Sequence, residues 1–147
     1  MRFSTLVLVV ALAACGSAGT PGPATPTPTV VPASSPPTPN PSPVVSAKGG
    51  ITLKTPTVNA KVTSPVTISG DASVFEANVQ WRISDTSGRV IAEGFTTASQ
   101  GAPGRGTYSV NATYSVATET LAFIEVYSRS AKDGSVDELV RIPVTLR

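Results

Sequence analysis

The residues that could do chemistry in this 147-residue chain are few, and the first finding is what they exclude. There is no histidine, which removes histidine general bases, triads and metal sites. There is one cysteine, Cys15, so no disulfide, thiolate cluster or paired redox chemistry can form within the chain. The remaining candidates are carboxylates. Glu76 follows Phe75 at the crossing between two expected strands. It reads either as a ligand-binding carboxylate or as a structural one, capping turn amides or pairing with Arg82 or Lys132. Glu125 and Tyr127 share one face of an expected strand with Phe123, a stripe able to bind a partner or glycan, or to be covered by neighbouring chain. Asp133, Asp137 and Glu138 crowd one turn, but their spacing lacks the ligand order of a calcium loop, so a hairpin turn is expected and no metal. Glu76 with Glu125 could serve glycoside hydrolysis only if the fold brought them together across a cleft. No cofactor motif is present.

Cys15 belongs to a different chemistry. Residues 1–14, MRFSTLVLVVALAA, carry one early positive charge and then an apolar run. That run is short for a membrane span, which needs roughly twenty apolar residues, and fits the h-region of a signal peptide. It ends in Leu12-Ala13-Ala14-Cys15-Gly16, which resembles the lipobox of bacterial lipoproteins. The resemblance implies cleavage between Ala14 and Cys15 and acylation of Cys15. The partner it implies is the membrane, through a lipid anchor at Cys15, with the protein exported to the outer face of the cytoplasmic membrane or the envelope. Two or three acyl chains hold a protein stably, where one gives marginal binding.

Residues 15–48 read as the lipidated cysteine followed by a disordered linker. Thr20 to Lys48 holds ten of the fourteen prolines. Such composition cannot bury enough apolar surface to offset its ordering entropy. In the polyproline II form it could reach on the order of 90 Å, holding a domain away from the membrane.

Residues 49–147 carry nine basic and nine acidic side chains. With that balance and no clustered basic face, nucleic acid is not an expected partner. The pattern here has period two. Val66 and Ile68 alternate with Thr67 and Ser69; Val79, Trp81 and Ile83 alternate with Gln80, Arg82 and Ser84; Ala122, Ile124 and Val126 form one face of a later strand; Val140, Ile142, Val144 and Leu146 form one face of the last. Asp85-Thr86-Ser87-Gly88 has type I turn chemistry, and Asp133-Gly134 suits a hairpin. No stretch keeps a helical apolar period. The expectation is an all-β, immunoglobulin-like β-sandwich of seven or eight strands without a disulfide, with Trp81 in its core and Ile68 with Val126 or Ile124 filling the usual disulfide position.

Ser64-Pro65, Gly70, Ala72, Phe75-Glu76 and Trp81, then Asp85, Gly88, Glu125-Val126 and Ser130 to Ser135, resemble the immunoglobulin-like domain of bacterial spore germination proteins, a GerMN-associated domain. The resemblance runs in order from about Ile51 to Leu146. It implies an extracytoplasmic, non-catalytic sandwich with no established ligand. Members often accompany a GerMN domain, and none is read in this sequence, so what is implied is the module and not a part in germination. The functional expectation is a lipid-anchored module that binds an envelope protein or a cell-wall polymer. The alternative is an assembly subunit of an envelope complex that reads no small ligand.

Overall fold

Alternating apolar and polar residues bury one face of a strand, and two such sheets must close on each other. The computed structural model describes residues 42–147, and there the chain does this. Seven strands have five or more residues: β2 (Ile51–Thr55), β4 (Val66–Ala72), β5 (Asn78–Asp85), β6 (Val90–Thr97), β7 (Gly106–Ala112), β8 (Thr120–Arg129) and β9 (Val136–Leu146). Two more, β1 (Val44–Val45) and β3 (Lys61–Val62), have two residues each. One sheet has the order β1-β2-β4-β7 and the other β3-β9-β8-β5-β6. This is the two-sheet arrangement of an immunoglobulin-type domain.

The core lies between the sheets. Ile51, Leu53 and Ile68 face Val79, Ile83, Ile124, Val126 and Ile142, all with essentially no exposure. Trp81 joins this cluster, and Ile68, Ile124 and Val126 pack in it without any cysteine. The tryptophan needs room that its neighbour provides. Gly94 is its direct partner on β6, and a Cβ there would stand 2.8 Å from Trp81 Cζ2. Gly70 plays the same part for Tyr108, whose phenol donates to the Thr52 carbonyl at 3.2 Å.

Two expectations need correction. Val44 and Val45, read with the proline-rich linker, pair with Leu53 and Thr52, and the following Ser46 is buried. A two-residue strand has no periodicity to betray it, and flanking prolines mask its character. The chain then crosses between sheets through Pro56 to Ala60. Asn59 takes a positive φ of 62° and donates its amide to Pro143 O, so of Val58 to Val62, where the sequence leads one to expect the first strand to resume after Pro56, only Lys61 and Val62 form a strand, parallel to β9. Lys132 to Ser135 turn the chain between the antiparallel strands β8 and β9, as expected of a hairpin. Ser130 N bonds Ser135 O, and Gly134 alone takes positive φ, at 72°. Cys15, Ala14, the signal peptide and residues 16–41 lie outside the described residues.

Candidate functional site

The outer face of the five-stranded sheet is built in cross-strand rows. Register places Glu93 opposite Arg82, Arg82 opposite Glu125, and Glu125 opposite Arg141. Charge therefore alternates across β6, β5, β8 and β9. The next row reads Phe95, Gln80, Tyr127 and Leu139. Opposite charges facing each other across a ladder stabilise it modestly, and rings beside them shield the pairs.

Glu125 and Tyr127 are more enclosed than an open binding stripe would have them. Glu125 is 4% exposed; it accepts from Arg82 Nε and lies 3.5 Å from Arg141 Nε. Tyr127 is 6% exposed, with the guanidinium groups of Arg82 and Arg129 each 5.5 Å from its ring centroid. Arg141 stacks over Phe123 at 3.8 Å. These contacts are cation–π pairs, and the arginine stems cover the rings they stack on. Arg82, Glu125 and Tyr127 thus form one cluster.

Glu76 and Lys132 stand apart from that cluster. Glu76 sits in a single 3₁₀ turn, Phe75–Ala77, with φ of 50°, and is exposed. Arg82 is committed to Glu125, and among the described residues neither Arg82 nor Lys132 forms an ion pair with Glu76. Lys132 lies in the β8–β9 turn, where its amide bonds Ser130 Oγ at 3.2 Å. The three carboxylates near that turn diverge. Asp133 accepts from Ser135 Oγ at 2.7 Å and Ser135 N at 3.1 Å, contacts that hold its carboxyl below the usual range. Asp137 pairs with Lys48, and Glu138 turns inward and is buried against Gly50. Among the described residues no group of three such side chains could hold a metal ion. No helix among them is long and apolar enough to cross a membrane.

Beside the arginine cluster, two hollows open on this face. One, about 520 Å³, is lined by Asn78, Gln80, Glu93, Phe95, Tyr127 and Arg129. The other, about 200 Å³, is lined by Phe75, Glu76, Asn78, Gln80, Arg129 and Ala131. Asn78, Gln80 and Arg129 belong to both, so the hollows adjoin as one groove. Phe95 and Phe75 flank it, 70% and 61% exposed. Glu125 lines neither hollow, so Glu76 and Glu125 do not share a cleft. A third hollow at the other end of the sheet, lined by residues 89–91, 115–118 and 120, has neither ring nor carboxylate.

Sequence reasoning named Glu76 and Tyr127 of this groove and missed Phe95, Glu93, Asn78, Gln80, Arg129 and Phe75 as lining groups. The available signal was Phe95, a large ring at an outward position of an alternating strand. No curated protein and no solved structure matches the chain. Residues 50–135 match the immunoglobulin-like domain of bacterial spore germination, a span that ends in the β8–β9 turn and leaves out β9. With more than half of its sequence matched and the two-sheet fold to go with it, the chain belongs to that family of immunoglobulin-like domains.

Proposed function

We propose that the chain is an exported, lipid-anchored, non-catalytic binding module, displayed on the cell envelope and engaging an envelope protein or a cell-wall polymer. The observation that carries the binding role is the groove flanked by Phe75 and Phe95. Two largely exposed phenylalanines on one face, beside a fixed tyrosine and convergent amides, are what a recognition surface needs. The anchor rests on Cys15 at the end of an apolar leader. The groove's open form and the pairing of Glu125 with arginine both favour binding over catalysis.

The test has two arms. Labelled fatty acid should enter the wild-type chain and not the Cys15→Ser form, and the latter should leave the membrane fraction; persistent attachment of Cys15→Ser defeats the anchor. The Cys15→Ser chain is then sedimented with purified peptidoglycan sacculi and, separately, mixed with solubilised membrane proteins. Retention by either supports the module, and retention by neither removes it.

The second reading, an assembly subunit, is favoured by β6. This eight-residue edge strand contains no proline or lysine, and Val90 and Phe95 are exposed along it. Edges of this kind pair with other chains unless they are blocked. Specific capture of one membrane protein, lost when the exposed edge residue Val90 is replaced by lysine with the melting temperature unchanged, would select this reading.

A further inference from the structure

We infer that the Phe75–Phe95 groove takes a linear, uncharged glycan strand, which deepens the binding reading above and rests on it. Glu93 stands toward the Phe95 end and Glu76 toward the Phe75 end, with Arg129 common to both hollows. A polyanion would need a run of cations. The groove offers one arginine, already donating to Gln80 Oε1 at 3.1 Å and to Gly134 O at 2.9 Å. A polycation would meet that same arginine midway along the groove.

A sugar chain meets none of these conflicts. Its hydroxyls donate to the two carboxylates and accept from the Asn78 and Gln80 amides, which supply donors and acceptors together. Asn78 and Gln80 lie on one face of β5, two residues apart, about 7 Å along the strand. Pyranose rings present apolar C–H faces of the kind that cover a phenyl ring. Phe75 and Phe95 are placed to receive one at each end, and each gains by leaving water. The groove floor is already fixed, since Tyr127 is held between Arg82 and Arg129, so little side-chain freedom is lost there on binding. The shallow, joined hollows suit a strand that continues past both ends.

The test uses the full chain in detergent and a hexamer of β-1,4-linked N-acetylglucosamine as probe. Amide signals of Asn78, Gln80, Gly94 and Phe95 should shift on titration, and signals of the third hollow should not. Phe95→Ala and Phe75→Ala should each weaken binding roughly tenfold or more without lowering the melting temperature. Asn78→Ala, which removes a side-chain amide and leaves both rings in place, should weaken it as well. No shift at millimolar probe, or binding that survives both phenylalanine changes, overturns the inference. If the Phe75→Ala, Phe95→Ala double variant is still retained by sacculi or by a membrane protein, the glycan groove falls and the module reading stands. If the unaltered chain is retained by neither and the probe also fails, both fall.

Discussion

Glu125 lies directly opposite Arg82 across the β5–β8 ladder, and its carboxylate is buried against that guanidinium. The second oxygen faces Arg141 from β9, so one carboxylate ties three strands of the sheet together. The arginines are not buried to the same degree. Arg82 keeps 39% and Arg141 49% of their side-chain exposure, so water screens each pair from one side. Their other contacts are with rings, Arg82 over Tyr127 and Arg141 over Phe123. The cluster is thereby a clamp on the outside of the sheet, and it sets the floor of the neighbouring groove.

Removing the carboxylate should destabilise the fold. Glu125→Ala strands two arginines that have packed around it, at a cost of about 1–3 kcal/mol given their partial exposure. Glu93→Ala, in the same row at the sheet edge, should cost under about 0.5 kcal/mol. Urea unfolding of the two variants measures both. Unchanged stability of Glu125→Ala, together with lost binding to sacculi, would instead make Glu125 a ligand-contacting group.

Gly94→Ala tests the fit of the tryptophan. The added methyl would meet Trp81 Cζ2 at 2.8 Å and Nε1 at 3.2 Å, in a core where the indole cannot withdraw. Overpacking of this kind should cost about 1–3 kcal/mol. Tryptophan fluorescence follows it directly, because Trp81 is the only indole. Phe95→Ala on the adjacent position, pointing to solvent, should leave the unfolding midpoint nearly unchanged. A neutral Gly94→Ala would show that β6 can move away from β5.

The inward faces were readable from the sequence, and the outward chemistry was not. Val79, Trp81 and Ile83 announce their burial by alternation alone, since every second residue of a strand shares a face. What Glu125 does depends on Arg82, 43 residues away, and on a register that only the folded ladders establish. Whether Tyr127 is exposed or covered stays open in its own strand, because nothing there says that Arg82 and Arg129 will lie over it. The groove escaped for the same reason, since its walls come from β5, β6, β8 and the Phe75–Ala77 turn.

The Asp85 turn should show itself in acid. Asp85 accepts from Ser87 Oγ at 2.6 Å and pairs with Arg89 Nε at 3.0 Å, while the amides of Ser87 and Arg89 also point at it. These bonds favour the charged form and hold its pKa at about 2, below the ordinary 3.8. Because the folded pKa is depressed, the stabilisation is present above pH 3.8 and is lost as pH falls toward 2. A carboxyl NMR titration should place Asp85 among the most acidic side chains. Asp85→Asn should flatten the acid arm of the stability profile. A midpoint near 3.8 would mean that the turn bonds do not persist in solution.

Tyr108 predicts the opposite arm. Burial first, and the Asp71 carboxylate second, push its phenol well above the ordinary 10.0. Burial also raises Tyr114, whose hydroxyl donates to Val62 O at 2.6 Å. A raised pKa means that the folded chain keeps protons which the unfolded chain releases. The stability these groups contribute is therefore complete below pH 10 and falls as pH rises beyond it. Ultraviolet titration should find these two phenols resisting ionisation until the sandwich opens, so that absorbance and circular dichroism change together. Tyr108→Phe separates the two effects within one side chain. It loses the bond to Thr52 O, costing about 0.5–1.5 kcal/mol at neutral pH, and it removes one late proton, making the alkaline fall shallower. Early, reversible ionisation of Tyr108 in the intact fold would mean that its phenol reaches water past Gly70 and Thr52.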